Sequence, residues 1–381
     1  MVSRRGAERW QHGHPWIYAS DVTDGPDTAG LVDVRDGRGK FLGQALHSPR
    51  SEIRLRLIER TNRPVDHHWW EGKLGEALAR RAGIEASAFR VVHAEGDGLP
   101  SLIVDRYDRW VVAQLLSAGL ETMREPILDG IERVLSPAGV LLRNDSTVRR
   151  HEGLPIATEL VRGSVPQDIE VSERGVAYFA APWTGQKTGA FLDQRVNRLR
   201  AGELAVPGGQ ALDCFAYHGS FALHLARTSQ RVLALDTSVE ALQRGARNAA
   251  LNGFGNIEWD EGDAFDVLRA MDRERVRFDT IVVDPPAFAK TKSAVAGALR
   301  GYKEINLRAM RLLNPGGVLV TASCSFHVRR ADFLEAIAAA ARDSGRILTI
   351  LEHLSAGPDH PEIVTIPETG YLKGVVLRCE M

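Results

Sequence analysis

Cysteine is scarce in this chain, charge of either sign is not in excess, and long apolar runs are missing. Each shortage excludes a class of protein. Only Cys214, Cys324 and Cys379 are present, no CxxC occurs, and the nearest two lie more than a hundred positions apart. A disulfide framework and a cysteine zinc site are therefore excluded, and no metal is expected. No segment approaches the roughly 20 consecutive apolar residues of a membrane-spanning helix. The N-terminus, Met1-Val2-Ser3-Arg4-Arg5 running into Trp10-Gln11-His12, is too polar for the apolar core of a signal peptide. The expectation is a soluble, cytoplasmic protein with no membrane partner. Lys+Arg 48 against Asp+Glu 49 leaves a net charge of −1, so a nucleic-acid site would be a local patch on a balanced surface.

What is present is ordinary globular material. A hydrophobic fraction of 44% over 381 residues excludes a disordered chain and leaves room for two or three domains. Residues 1–65 read as short strands broken by turns: Trp16-Ile17-Tyr18, Leu31–Val34, Lys40–Leu46 and Ile53–Ile58, with Gly25-Pro26, Asp36-Gly37 and Ser48-Pro49 between them. Ile53, Leu55 and Leu57 alternate with Arg54 and Arg56, which predicts one buried and one basic face. A small, partly open all-β barrel is expected. Residues 66–170 change to a helical period around Trp69, Leu74, Ala77 and Leu78, followed by strands at Leu102–Tyr107, Trp110–Leu116 and Val140–Arg143 with a helix near Glu121–Leu135. This predicts a central α+β module. Val171–Ala180 reads as one arm of a hairpin and opens a third domain, 171–381.

Within that third domain, strands and helices alternate regularly. Apolar strands end at Asp213, at Asp236, just before Asp263, and at Asp284, each roughly 20–30 residues after the last, about one βα unit. Ile347–Leu351 and Gly374–Arg378 would complete the sheet. The fold class is thus α/β, a doubly wound, mostly parallel, Rossmann-like sheet.

Ligands of such sheets sit beyond the carboxyl ends of the strands, where strand order switches. The first turn, Asp213-Cys214-Phe215-Ala216-Tyr217-His218-Gly219-Ser220, has a single glycine and is no GxGxxG. A dinucleotide pyrophosphate would lack its cradle there, whereas S-adenosylmethionine carries no phosphate and needs none. Asp236 is placed to take ribose hydroxyls; Asp263, followed by Ala264, is placed to accept from an adenine amino group. Any one of these acids alone is better read as a helix N-cap. Three at this spacing, followed by Asp284-Pro285-Pro286, point to a methyltransferase.

One strand after Asp284 comes Gly316–Ser325, which delivers Cys324 to the same crevice. Carbon 5 of a pyrimidine is a poor nucleophile. A thiolate adding to carbon 6 makes it enamine-like, and a carboxylic acid on ring N3 assists that addition. An acid there suits cytosine, whose N3 is unprotonated. Cys324 and Asp284 are therefore the candidate catalytic pair, and Cys214 and Cys379 are read as small buried hydrophobes. Two other readings stay open: N-methylation of a base, which needs no thiol, and a catalytically idle RNA-binding assembly factor.

Over essentially its whole length the chain resembles the PUA-domain-containing large-subunit (23S) ribosomal RNA cytosine-5 methyltransferases, class I S-adenosylmethionine-dependent enzymes. The matching stretches are His12–Tyr18, Gly185–Arg195 (GQKTGxFLDQR, the most specific), Cys214–Phe221, Asp284–Phe288, Ser323-Cys324-Ser325, Asp359-His360-Pro361 and Pro367–Lys373. The resemblance implies that residues 1–65 form a PUA-like RNA-binding domain and that Gln186, Lys187 and Thr188 neighbour the cofactor together with Asp213, Phe215, Gly219, Asp236, Asp263, Ala264 and Asp284. It implies 23S ribosomal RNA as partner, with the oligomeric state open, a homodimer included. One departure stands out. Related RNA enzymes carry a second, product-releasing cysteine after the proline of the Asp284 motif, and here Pro285-Pro286-Ala287 has none.

Candidate RNA contacts are His14, Trp16, Arg54, Arg56, Arg143, Lys290 and Lys292. Aromatic rings stack on unpaired bases and basic groups meet phosphates. For Trp16 a place in the barrel core, and for the N-terminal arginines a solvated face, is as good a reading as RNA contact.

Overall fold

The computed structural model describes residues 1–380. Backbone proximity divides them into two compact units: Met1–Val171 with Ala180–Leu192 and Pro358–Thr369, and Ser172–Phe179 with Asp193–Gly357 and the described part of Gly370–Met381.

The first unit opens with a helix that the turn-rich sequence did not announce. α1 (Arg4–Gln11) is capped by Ser3, whose hydroxyl accepts from the Gly6 N–H, and buries Ala7 and Trp10. Strands β1 (Trp16–Ile17), β2 (Gly30–Arg35), β3 (Phe41–His47) and β4 (Leu55–Glu59) form an antiparallel sheet in the order β1-β4-β3-β2. The alternation expected of β4 is corrected here. All its residues are buried, and Arg56, 5% exposed, donates to Glu152 Oε1 at 2.8 Å. Burial of an arginine opposite a carboxylate erases the solvent face that the pattern suggested.

The unit continues through α2 (His67–Ala79, N-capped by Asp66), β5 (Ala88–His93), β6 (Leu102–Tyr107), β7 (Trp110–Leu115), α3 (Ala118–Glu121), α4 (Arg124–Leu135), β8 (Gly139–Asn144), α5 (Val148–His151) and β9 (Ala157–Gly163). The order β5-β6-β7-β8-β9 is antiparallel except where β7 meets β8. Trp70, Leu74, Val104, Val111 and Ile127 lie in its core.

β10 (Ile169–Glu173) and β11 (Val176–Ala180) are both arms of the hairpin of which only one was expected. Arg174 and Gly175 turn it with φ +48° and +82°, the left-handed pair that matches strand twist in a two-residue loop.

The second unit is the doubly wound sheet that the periodicity predicts. Its elements are α6 (Arg195–Leu204), β12 (Gln210–Cys214), α7 (Ser220–Ala226), β13 (Arg231–Asp236), α8 (Val239–Leu251), β14 (Ile257–Glu261), α9 (Ala264–Glu274), β15 (Phe278–Val283), α10 (Val295–Leu312), β16 (Leu313–Ser323), α11 (Arg330–Ser344), β17 (Leu348–Leu354) and β18 (Lys373–Cys379). The order is β14-β13-β12-β15-β16-β18-β17, parallel except for β18, which runs antiparallel to both neighbours. Strand order reverses between β12 and β15, and a ligand crevice opens at such a reversal.

Candidate active site

Four strands bring acids to the carboxyl edge of this sheet. Asp213, near the end of β12, is 1% exposed; its Oδ2 accepts from the Ala222 N–H at 2.9 Å while its Oδ1 has no hydrogen-bond partner. Burial pushes its carboxyl well above the usual range against the pull of the Ala222 N–H, and the charges of Asp284 and Asp236 push it further. Asp236, at the end of β13, accepts from Tyr217 N–H at 2.8 Å and Ser238 N–H at 2.9 Å. Asp263 caps α9: its Oδ1 accepts from the N–H groups of Phe265 and Asp266, and Ala264 is the buried first residue of that helix. The cap reading of Asp263 is thus realised in the fold, with only Oδ1 engaged in it.

The turn between β12 and α7 is conformationally costly. Phe215 and Tyr217 adopt φ +65° and +51°, a region that non-glycine residues rarely occupy. Gly219 has φ +80°, and a Cβ there would stand 2.3 Å from Cη2 of Trp259 on β14. Glycine is required here both by backbone and by the indole. Cys214 is fully buried, and burial pushes its thiol up.

Beside these acids lies the second half of the site. Asp284 directly follows β15, and Gln194 donates to its Oδ1 at 2.8 Å. Cys324 directly follows β16, half-buried, its thiol 3.9 Å from the Pro285 carbonyl. The two loops are stitched together: Ser325 Oγ accepts from Ala289 N–H at 3.1 Å and pairs with Tyr302 Oη at 2.8 Å, while Ser323 donates to the same phenol at 2.8 Å. Lys373, almost fully buried, donates to the carbonyls of Ser325 and Val328 at 2.7 and 2.6 Å. Lys290 and Lys292 are exposed on the first loop, and Phe326, 52% exposed, projects from the second. Among the described residues no other phenylalanine or tryptophan is exposed.

The remaining predicted residues lie in the first unit. Arg143 is spent on structure: it donates to the carbonyls of Pro182 and Gly185 at 2.6 and 3.1 Å and pairs with Asp145. Thr188 is buried and donates to Asp105 Oδ2 at 2.6 Å, with Tyr107 Oη 2.8 Å away. Between these two anchors Lys187 takes φ +54°, and Gln186 and Lys187 are exposed. The Lys187 ammonium lies 4.7 Å over the Phe191 ring. His14 Nδ1 accepts from Trp16 N–H, which leaves the proton on Nε2, 3.3 Å from Glu368. The Trp16 indole donates to Glu95 at 2.9 Å, and Arg54 donates to the Pro49 carbonyl. Arg56 and Arg143, each expected as an RNA contact, are instead buried, with guanidinium groups paired to Glu152 and Asp145.

Sequence reasoning missed Gln194, Trp259, Tyr302 and Lys373 as parts of this site. Gln194 lay inside the GQKTGxFLDQR run; Trp259 and Tyr302 carried no local signal.

The acid edge selects its ligand by charge. Burial raises the Asp213 carboxyl, the charges of Asp284 and Asp236 add to that rise, and its buried Oδ1 lacks a donor. A cationic ligand with N–H groups relieves both. S-adenosylmethionine, carrying a sulfonium and an ammonium, fits these residues, and a nucleotide phosphate does not. Strand order, switch point and acid edge define a class I S-adenosylmethionine-dependent methyltransferase. Residues 127–378 match the S-adenosylmethionine-dependent methyltransferase family, and residues 1–60 match a PUA-like domain. The chain belongs to that methyltransferase family. It is 39% identical to Ribosomal RNA large subunit methyltransferase I of Klebsiella pneumoniae (strain 342), over 99% of this chain and 98% of that one. It is 39% identical to the protein of the same name from Tolumonas auensis, over 96% and 95%. In fold it is similar to a putative S-adenosylmethionine-dependent methyltransferase from Streptococcus mutans, with TM-score 0.84, 18% identity, and coverage of 99% and 100%. Among the described residues no helix is long and apolar enough to cross a membrane.

Proposed function

We propose that the chain forms 5-methylcytosine in large-subunit ribosomal RNA through a covalent adduct of Cys324. The observation that carries this reading is the placement of one carboxyl and one thiol at adjacent strand ends: Asp284 directly after β15, and Cys324 directly after β16 with its Sγ 3.9 Å from the carbonyl of Pro285. The name shared by full-length relatives supports a ribosomal substrate.

The target cytosine leaves its stack to reach the crevice. Phe326 offers a neighbouring base an exposed face, and Lys290 and Lys292 offer charge to the backbone phosphates. The Cys324 thiolate bonds to carbon 6, and the carbon 5–carbon 6 π pair moves to join carbon 4 and carbon 5. The carbon 4–N3 π pair takes the Asp284 proton on N3, leaving an enamine that is nucleophilic at carbon 5. S-adenosylmethionine supplies the electrophilic methyl for that carbon. Loss of the carbon-5 proton then expels the thiolate, and N3 returns its proton to Asp284. Ala287 stands where a second thiol would have assisted release, so that proton leaves to water or a polar neighbour. Gln186, Lys187 and Thr188 are assigned as cofactor neighbours, and residues 1–65 as an RNA-binding domain preceding a central module at 66–170 and the methyltransferase domain at 171–381.

Two measurements test this. Mass-spectrometric nucleoside mapping of ribosomal RNA, with and without the gene, should lose one 5-methylcytosine; no loss ends the ribosomal reading. RNA carrying 5-fluorocytosine should trap the native protein and the Cys214→Ala variant but not Cys324→Ala. Continued RNA methylation by Cys324→Ala would end the covalent one.

A further inference from the structure

A one-way relay of amides ends on Asp284. It begins at the Ser355 backbone carbonyl, which can only accept, so the side-chain atom of Asn197 facing it at 3.0 Å is the NH2 group. The same Nδ2 donates at 2.6 Å to the side chain of Gln194, which must therefore turn its Oε1 toward Asn197. The Gln194 NH2 is thereby left facing Asp284, where it donates to Oδ1 at 2.8 Å. Gln194 and Asn197 are almost fully buried, so neither amide can flip without leaving a donor or acceptor unmatched. The segment carrying them is pinned in turn: Asp193 Oδ2 accepts from Tyr371 Oη at 2.6 Å, and its carbonyl accepts from Gly357 N–H at 3.2 Å.

We propose that Gln194 is a positioning residue that decides which oxygen of Asp284 works on the substrate. An amide donor fixed on Oδ1 makes that oxygen the carbonyl of the neutral acid, because a carbonyl oxygen accepts better than a hydroxyl oxygen. The transferable proton is then placed on Oδ2. Asn197 sets the polarity of the amide and the Ser355 carbonyl sets Asn197. The DQR end of the GQKTGxFLDQR run thus serves the reacting base, apart from the Gln186–Thr188 end assigned to the cofactor. This inference rests on the proposed proton transfer from Asp284 to N3.

The test is a double-mutant cycle, read by the single-turnover rate of adduct formation on 5-fluorocytosine RNA and by steady-state kinetics on unmodified RNA. Gln194→Leu and the closely volume-matched Gln194→Met both remove the donor. Each should lower kcat and the adduct rate roughly 10- to 100-fold, with KM for RNA, cofactor affinity by calorimetry and thermal unfolding nearly unchanged. In the Asp284→Asn background the same substitutions should change the adduct rate less than about threefold, because Gln194 acts only through Asp284. Equal losses in both backgrounds, a loss confined to KM or cofactor affinity, or native rates in both Gln194 variants would each overturn the relay. Failure of the underlying reading looks different. Asp284→Asn by itself would then retain native adduct and turnover rates, which removes the acid that the relay serves.

Discussion

Gly219→Ala isolates the fit between the cofactor turn and β14, and its cost can be worked from two independent terms. The first is backbone. Gly219 has φ +80°, and holding an L-residue in that region costs about 1–2 kcal/mol. The second is steric. The new Cβ would stand 2.3 Å from Cη2 and 2.8 Å from Cζ3 of Trp259. That indole cannot retreat easily, because Gly245 of α8 packs against the same ring, where an added Cβ would likewise stand 2.3 Å from Cζ3. Overpacking of this kind costs roughly 1–3 kcal/mol. The sum, about 2–5 kcal/mol, is a large share of the roughly 5–15 kcal/mol that holds a domain folded. Urea unfolding should show a lower midpoint at unchanged slope, and calorimetry should show weakened S-adenosylmethionine binding. Adding Trp259→Leu should recover the steric part while the backbone part persists. A Gly219→Ala protein within about 0.5 kcal/mol of native would refute both terms, since surface changes without strain fall in that range.

Three further outcomes follow from the same geometry. Asp236→Ala should weaken S-adenosylmethionine binding by roughly 1.5–3 kcal/mol through loss of a charged acceptor, and unchanged affinity in a folded protein would mean another strand-end acid holds the ribose. Arg56→Met should destabilise the first unit by about 3–5 kcal/mol by leaving Glu152 buried and unpaired, with RNA affinity little changed; lost RNA affinity at native stability would restore Arg56 to the RNA surface. His218 is 1% exposed, and burial, aided by the Arg198 charge, lowers it from 6.5 to about 3. Below pH 6.5 the unfolded chain takes up a proton that the native ring refuses, so stability should fall as pH drops from 6.5 toward 3. His218→Phe should flatten that window in denaturant titrations, and an unaltered slope would refute the assignment.

The α/β architecture was legible because a central parallel strand is covered on both faces and must be apolar throughout, so Val232–Leu235 and Ile281–Val283 stand out between helices. Strand ends were legible for the same reason: the first polar residue after such a run, Asp236 or Asp284, falls at the sheet edge where a ligand binds. Cys324 followed from its position after the next strand. The α1 helix was obscured by Gly6 and by its charged residues, and its anchor is the burial of Trp10. Arg56 read as solvated because its partner, Glu152, is remote in sequence and only the folded chain brings them together. Local periodicity records which faces meet water, and it carries no information about which distant group meets a buried charge. Gln194 at Asp284, Trp259 against Gly219 and Lys373 under Ser325 are all contacts of that second kind. The sequence by itself determined the strands, their order of appearance and the acids at their ends. Tertiary structure alone decided which amide faces Asp284, because a hydrogen bond from Asn197 to the Ser355 carbonyl, more than a hundred residues away in sequence, sets the direction that Asn197 passes to Gln194.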